Sequence, residues 1–169
     1  MKILYLGCYD QPDGQSSRSF NYVEGLSELG EEVTFLSNSY DHYKFNTVKM
    51  SFWKLWTIDR FNYKYKGNYI RLKTPSYGGK KGRFLNMIIN SCLILIYGSY
   101  VFLFKKRFDV IIGPSVPIFT SFSGVILSKL FNVPFCFEIR DIWPDALAEI
   151  GLIRQNSMIF KLMKKLEIY

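Results

Sequence analysis

The residues with the greatest chemical potential lie in one segment, residues 138–145, whose sequence is EIRDIWPD. The segment combines four charged side chains with a Trp-Pro pair, and it follows an apolar run that predicts a buried strand. Ligands of open parallel sheets bind at the carboxyl ends of the strands, so this position favours a ligand site. The alternative is that Arg140 pairs with a neighbouring carboxylate while Trp143 and Pro144 begin the next helix. Both interpretations remain open.

Two further loops are predicted at the same edge of the sheet. In the first, Gly14, Gln15 and Ser16 lie at the predicted start of a helix, where backbone N–H groups can bind an oxyanion or a sugar hydroxyl. The loop lacks the G-x-G-x-x-G spacing that lets a pyrophosphate approach closely, which argues against a dinucleotide site. In the other loop, residues 113–117, Ser115 can contact a ligand or cap a helix, and we favour the cap.

Histidine and cysteine chemistry is not expected in this chain. A Ser-His-Asp triad, a Cys-His dyad or a histidine metal site would each depend on His42, the one histidine of the sequence. Cys8, Cys92 and Cys136 lie in apolar runs, and their spacing is that of neither a zinc site nor a disulfide framework. We therefore predict reduced core cysteines in a cytosolic protein that binds no metal ion and no cofactor.

Predicted strands and helices alternate along the chain and must position these loops. The first helix should carry its apolar face from Phe20 to Leu29 and end at Gly30. Residues 39–67 show no clear period beyond one helical piece near 52–56, and residues 75–82 predict a loop. The strands are predicted at 2–8, 33–37, 69–72, 109–113 and 134–139, and the later helices at 118–131 and 155–169. This order predicts an α/β, Rossmann-like three-layer domain with a mostly parallel sheet.

Residues 85–104 form an apolar segment about as long as a transmembrane helix. Polar residues such as Asn86 and Asn90 interrupt it, Lys and Arg flank both of its ends, and a strand is predicted soon after it. The segment also lies where two parallel strands need a crossover helix. We therefore favour a helix that packs on the sheet and can also touch a bilayer, over a helix that spans the bilayer.

The composition is that of one globular domain with a basic surface. The 169 residues are 49% hydrophobic and 21% charged, and 22 Lys and Arg against 14 Asp and Glu give a net charge of +8. Such a charge attracts nucleic acid, phosphorylated substrates or acidic lipid. Aromatic residues cluster with Lys and Arg in residues 40–77 and 97–108, as they do at membrane interfaces. No nucleic-acid-binding motif occurs, so we expect no nucleic-acid partner.

Four segments resemble the amino-terminal, acceptor-side domain of the retaining family-four GT-B glycosyltransferases, particularly bacterial enzymes of capsule and O-antigen biosynthesis. They are residues 2–6 (KILYL), 26–36 (LSELGEEVTFL), 108–112 (FDVII) and, most specifically, 137–145 (FEIRDIWPD). The resemblance implies that residues 1–169 form the amino-terminal half of a GT-B fold and that the donor-binding domain is absent. The last predicted helix ends without Gly, Asn or Pro, as expected where a chain continues.

This resemblance implies an enzyme that transfers a sugar from a nucleotide-sugar to a lipid-linked or saccharide acceptor in surface polysaccharide biosynthesis. Without the donor half, the chain is expected to be inactive. By resemblance, Gly14, Gln15, Ser16 and Arg140 contact the acceptor or the sugar, and Asp141 positions the acceptor hydroxyl. The basic, aromatic surface would then bind the inner face of the cell membrane, where a polyprenyl-diphosphate sugar is accessible.

Two other functions remain open at this point. One is a non-catalytic, membrane-associated subunit of a split glycosyltransferase, which would recruit a separate donor-binding chain. The other is a plain nucleotide-binding Rossmann domain, which the first loop disfavours because it lacks the dinucleotide spacing.

Overall fold

The computed structural model describes residues 1–10, 18–42, 44–59, 67–105, 107–141 and 144–167. The described strands are β1 (Lys2–Leu6), β2 (Glu32–Asn38), β3 (Tyr40–Asp41), β4 (Asn46–Thr47), β5 (Trp56–Asp59), β6 (Gly67–Leu72), β7 (Val110–Pro114) and β8 (Phe135–Glu138). The described helices are α1 (Arg18–Glu28), α2 (Gly79–Phe104), α3 (Ile118–Phe131), α4 (Asp145–Glu149) and α5 (Met158–Glu167).

Six of the strands form one sheet in the order β5-β6-β2-β1-β7-β8. All neighbouring pairs are parallel except β5 and β6, which are antiparallel. Chain order runs outward in both directions from β1, through β2 and β6 on one side and through β7 and β8 on the other. The pair β1 and β7 is therefore the switch point of the sheet, and the predicted Rossmann-like α/β fold with a mostly parallel sheet is confirmed.

Successive side chains of the strands point to opposite faces of the sheet and contribute to two hydrophobic cores, one on each face. On one face, Leu4 and Leu6 of β1 pack with residues of α2 and α3 such as Ile94 and Leu127. On the other face, Ile3 and Tyr5 of the same strand pack with the inward side of α1. The central strand is thus covered on both faces, which explains its continuous apolar sequence.

Helix α1 ends as predicted at Gly30, whose φ of 89° is a left-handed conformation that favours glycine. The Gly30 N–H donates to the Ser27 carbonyl at 3.0 Å, and the Glu31 N–H donates to the Leu26 carbonyl at 3.1 Å. This paired arrangement closes the last turn of the helix. Leu29, between the last helical residue Glu28 and Gly30, is largely exposed, so its predicted place on the buried face is wrong.

Helix α2 is the predicted crossover between β6 and β7, and it packs on the sheet and on α3. It begins at Gly79, so the loop predicted to reach residue 82 is shorter. Asn86 and Asn90 are fully buried. The Asn86 side-chain amide donates to the Pro75 carbonyl at 2.7 Å, and that of Asn90 donates to the Gly7 carbonyl at 3.3 Å. Among the described helices, α2 alone is long and apolar enough to cross a membrane.

The helical piece predicted near residues 52–56 is wrong. Strands β3 and β4 form a small antiparallel pair, and a turn at Phe52 leads into the edge strand β5. The Lys73 ammonium group donates to the carbonyls of Ser51 and Phe52, at 3.1 and 3.0 Å. Because β6 and Lys73 supply hydrogen-bond partners from elsewhere in the chain, tertiary contacts override the local pattern here.

Two of the three cysteines are not core residues, contrary to the prediction. Cys8 is buried, but Cys92 and Cys136 are exposed. Cys136 lies in β8, which was expected to be a buried strand but is at the edge of the described sheet, where Cys136 and Phe137 are both exposed. Cys92 lies on the outer side of α2.

The last helix, α5, begins at Met158 rather than at residue 155. The Ser157 hydroxyl accepts a hydrogen bond from the Phe160 N–H at 3.2 Å, as a helix-capping serine does. Ile159 and Leu162, which were predicted to share one apolar face, are largely exposed.

Two helical glycines should respond oppositely to replacement by alanine. A Cβ at Gly124 of α3 would lie 2.4 Å from the Phe135 ring and 3.0 Å from Leu6, whereas a Cβ at Gly25 of α1 would meet nothing within 4 Å. We expect Gly124→Ala to lower the free energy of unfolding by about 1–3 kcal/mol through overpacking. We expect Gly25→Ala to raise it by about 0.5–1 kcal/mol through helix propensity. Urea unfolding of both variants measures this, and a stabilised Gly124→Ala variant would contradict the packing described.

Candidate functional site

A group of buried polar side chains lies at the carboxyl ends of the central strands, at the switch point of the sheet. We call it the Arg140 cluster, and its members are Tyr5, Asp10, Ser19, Glu138 and Arg140. Tyr5 belongs to β1, Asp10 follows it, Ser19 is in the first turn of α1, Glu138 ends β8, and Arg140 comes two residues later. The cluster therefore connects three elements that are distant in sequence.

The Arg140 guanidinium is the centre of the cluster. Its Nη1 lies 3.4 Å from Asp10 Oδ1, and its Nη2 lies 3.0 Å from Glu138 Oε2. The same Nη2 also donates to the Tyr5 hydroxyl at 3.4 Å and to the Ser19 hydroxyl. The Arg140 side chain is only 15% exposed, so these partners replace most of the water that a cation would otherwise bind.

Glu138 receives hydrogen bonds from two sides. The Tyr5 hydroxyl donates to Glu138 Oε2 at 2.5 Å, and Arg140 donates to the same oxygen. The other oxygen, Oε1, lies 3.1 Å from Nε of Arg18 in an ion pair. The Arg18 side chain is half exposed, which makes this pair the weaker of the two.

Burial and hydrogen bonding set the charges of the cluster. Burial raises the pKa of Glu138, but hydrogen bonds from Arg140 and Tyr5 and the two nearby guanidinium groups outweigh it, so the pKa of Glu138 lies below its ordinary value. Burial lowers the pKa of Arg140, but Glu138 and Asp10 raise it more. Burial and the neighbouring Glu138 raise the pKa of the Tyr5 phenol far above its ordinary range. At neutral pH the cluster therefore contains a carboxylate, a guanidinium and a neutral phenol.

Ser115, in the loop after β7, holds the backbone of the Arg140–Asp141 segment. Its hydroxyl accepts hydrogen bonds from the N–H groups of Arg140 and Asp141, at 2.9 and 3.2 Å, and donates to the Asp141 carbonyl at 3.2 Å. The prediction that Ser115 caps α3 is wrong, since Pro117 occupies the cap position of that helix. Ser115 instead connects the loops that follow β7 and β8.

The structure tests the predicted site residues unevenly. Gly14, Gln15 and Ser16 lie outside the described residues. Arg140 and Asp141 lie at the carboxyl edge of the sheet, as their position after a strand predicted. Arg140 pairs with carboxylates, as the alternative to a ligand site predicted for this segment. Asp141 is exposed at the rim of this edge.

One atom of the cluster remains available for a hydrogen bond. Within the described residues, Nε of Arg140 is buried and has no hydrogen-bond partner. A buried donor or acceptor without a partner costs free energy, and such groups occur where a ligand or another segment binds. The pairing of Arg140 is therefore compatible with a ligand site beside it.

Sequence reasoning missed Tyr5, Asp10 and Ser19. Tyr5 carried one signal that could have revealed it, because a tyrosine inside a fully apolar strand buries a hydroxyl that needs a partner. Asp10 and Ser19 flank the first loop and have no local pattern that distinguishes them from loop and helix residues. Only the folded sheet brings them to Arg140.

A second group lies beside the cluster, where the chain leaves β1, β3 and β6. The Tyr77 hydroxyl lies 2.6 Å from Nδ1 of His42, the Tyr9 ring is 5.1 Å from the His42 ring, and the Arg83 guanidinium lies 5.2 Å from the Tyr9 ring centre. Burial and the charge of Arg83 lower the pKa of His42 although Asp41 opposes them. His42 is therefore neutral at pH 7 and can accept the Tyr77 hydrogen bond. Within the described part of the chain, no three His, Cys, Asp or Glu side chains could hold a metal ion together.

Comparison with known proteins supports the fold only. No protein-family model and no curated protein matches the chain. A solved structure of the C-terminal domain of a hydrogenase from Pyrococcus furiosus is similar, with 16% sequence identity, a TM-score of 0.54, and coverage of 81% of this chain and 90% of that domain. A second structure of the same domain has a TM-score of 0.49 at 16% identity, with the same coverage of both chains. At this identity, the likeness shows a shared α/β fold.

Removing Arg140 should leave two buried carboxylates without their cation. We expect Arg140→Met to lower the free energy of unfolding by about 3–5 kcal/mol, the usual cost of breaking a buried ion pair on one side. Adding Glu138→Gln to this variant should recover part of the loss, because it removes one uncompensated charge. A double-mutant cycle by urea unfolding measures the coupling. Strictly additive losses would show that the two side chains do not interact as described.

The depressed pKa of Glu138 predicts a specific dependence of stability on pH. Its contribution is complete above the pKa of an unfolded-state glutamate, about 4.3, and is lost as the pH falls through the lower folded-state value. We expect the stability advantage of the wild type over Glu138→Gln to shrink as the pH falls below about 4.3. Urea unfolding over this range measures it, with Glu149→Gln, an exposed carboxylate on α4, as the control. A constant difference between wild type and Glu138→Gln would contradict the assignment.

Proposed function

We propose that this chain is the acceptor-side domain of a GT-B glycosyltransferase that transfers a sugar from a nucleotide-sugar to a lipid-linked or saccharide acceptor. The reaction would belong to surface polysaccharide biosynthesis, at the inner face of the cell membrane. The observation that carries the proposal is the Arg140 cluster together with the exposed Asp141 beside it. Both lie at the carboxyl edge of the sheet, at its switch point. That edge is where open α/β sheets bind ligands.

The chemistry of this edge suits a polyhydroxylated substrate. Sugars are recognised by hydrogen bonds from fixed charged and polar groups, and those to charged groups are the stronger ones. The cluster supplies a guanidinium and a carboxylate whose orientations are held by several bonds each. It also contains a buried donor, Arg140 Nε, without a hydrogen-bond partner among the described residues.

In this proposal, Asp141 positions the acceptor hydroxyl and Arg140 binds the sugar or its phosphate. Asp141 suits the role because Ser115 fixes its backbone while its side chain remains exposed at the rim. Gly14, Gln15 and Ser16 would supply backbone N–H groups from the first loop. The nucleotide-sugar would be held by a separate donor domain, and neither a metal ion nor another cofactor is invoked.

Sugar transfer by the complete gene product tests the proposal. The product of the whole reading frame would be incubated with radiolabelled nucleotide-hexoses and bacterial membranes, and label in the lipid and polysaccharide fractions would be counted. We expect transfer, and we expect Asp141→Asn to lower kcat/KM for the acceptor by about 10- to 100-fold, the cost of losing a positioning contact. Glu32→Gln, a carboxylate at the opposite edge of the sheet, is the matched control.

Three other outcomes would each point elsewhere. Transfer that requires a second polypeptide would identify a subunit of a split enzyme. Tight binding of a nicotinamide or flavin dinucleotide by the chain, with no transfer, would identify a nucleotide-binding domain instead. Full activity of Asp141→Asn would remove that residue from the acceptor site.

A further inference from the structure

The outer side of α2 carries an apolar stripe. Its members are Leu85, Cys92, Ile96 and Leu103, which we call the α2 outer stripe. They follow one another at intervals of seven, four and seven residues, so they align along one side of the helix for most of its length. All four are exposed; Ile96 is 49% and Leu103 65% exposed. No residue of the stripe is charged.

Helix α2 differs from an ordinary surface helix because it is apolar on its exposed side as well as on its buried side. An ordinary surface helix turns its apolar side to the core and its charged side to water. In α2, the buried side packs Leu93, Ile94 and Val101 into the core and also encloses two hydrogen-bonded asparagines, Asn86 and Asn90. The exposed side is apolar too, instead of charged. An apolar surface of this length on a folded domain marks a site of contact with another molecule or a membrane.

Positive charge flanks α2 at both ends. Residues 60–108 contain eleven of the 22 Lys and Arg of the chain and none of its 14 Asp and Glu, so the net positive charge of the protein arises in this stretch. Lys80 and Lys81 lie in the first turn of α2, and Lys105 and Arg107 follow its last turn. Cations at both ends of an apolar helix can reach the headgroups while the helix lies along a membrane surface.

An aromatic loop adds a second apolar element. Phe52 and Trp53 are 81% and 89% exposed, with Lys54 next to them. The loop leads into β5, whose first residue, Trp56, packs on Tyr97 of α2 with ring centres 5.3 Å apart. Exposed Trp beside Lys is typical of the boundary between lipid and water.

We propose that the α2 outer stripe and the Phe52–Trp53 loop dock on an anionic lipid bilayer, with α2 lying in the plane of the interface. This inference rests on the proposed function, which places the protein at the inner face of the cell membrane, and it names the surface that contacts the membrane. Sugar transfer to a soluble saccharide would still be possible if the bilayer contact failed, so separate experiments test the two.

The charge distribution favours a bilayer over a second copy of this chain. If two α2 helices paired along their stripes, in either direction, the cations at the ends of one helix would meet the cations of the other, and like charges repel. The packing of α2 also disfavours a spanning helix. Crossing the bilayer would remove the hydrogen bonds of Asn86 and Asn90 and the contacts of α2 with the sheet.

The two exposed cysteines allow a matched test in the full chain. An environment-sensitive fluorophore would be attached to Cys92, on the stripe, in a Cys136→Ser variant, and to Cys136, on β8, in a Cys92→Ser variant. Cys8 should not react, because it is buried and burial raises the pKa of its thiol. We expect phosphatidylcholine–phosphatidylglycerol vesicles to give a blue-shifted, several-fold brighter signal at Cys92 and little change at Cys136.

Two further measurements separate the contributions of charge and of apolar contact to vesicle binding. Pure phosphatidylcholine vesicles and added salt should weaken the response, since exposed charges are screened by salt. The double variant Ile96→Glu and Leu103→Glu should reduce vesicle binding by about tenfold or more, because it removes apolar area from the contact. Leu29→Glu, at a still more exposed leucine that directly follows α1, should leave vesicle binding unchanged.

Several results would overturn the proposal. They are an unchanged signal at Cys92 with anionic vesicles, equal changes at both cysteines, and equal loss of binding in the stripe and Leu29 variants. If the fluorescence of the probe at Cys92 rose with protein concentration in the absence of lipid, it would identify a homodimer instead. Protein that stays with the vesicles after a high-salt alkaline wash would indicate a spanning helix.

Discussion

The burial of Arg140 is the constraint on which the carboxyl edge of the sheet depends. A guanidinium that is removed from water must be compensated by carboxylates and hydrogen-bond acceptors at fixed positions. Here these partners come from β1, from the segment after it, from the first turn of α1 and from β8 itself. The cation therefore fixes the start of α1 relative to the last strand, across the switch point where a ligand would enter. Ser115 extends the same constraint to the loop after β7.

Most of the fold could be predicted from the sequence, because its signals are local. Apolar runs and helical spacing gave the parallel strands and the crossover helices, and Gly30 gave the end of α1 in its left-handed conformation. The site could be predicted only in part. Arg140 and Asp141 were found from their position after a strand, whereas Tyr5 and Asp10 join the site through contacts between residues more than 100 positions apart. No window of local sequence contains that information.

The errors have the same physical origin. Residues 51–59 were expected to include a helical piece, but β6 and Lys73 provide backbone partners that only the folded chain brings near. Cys136 was placed in the core because its run is apolar, but β8 lies at the edge of the described sheet, where Cys136 is exposed. The identity of a residue indicates that burial is favourable, while the position of its strand in the sheet decides whether burial occurs.

The fold places the proposed membrane surface beside the proposed acceptor site. Helix α2 begins just after the carboxyl end of β6, the edge of the sheet where the Arg140 cluster lies, and returns toward the opposite edge to enter β7. If its outer stripe lies in the interface, the strands run along the membrane and the carboxyl edge opens sideways over the headgroups. A sugar on a lipid diphosphate would then enter the site laterally without leaving the surface. Asn86 and Asn90 hold α2 in its position on the domain, since they fasten its inner side to the segments that follow β6 and β1.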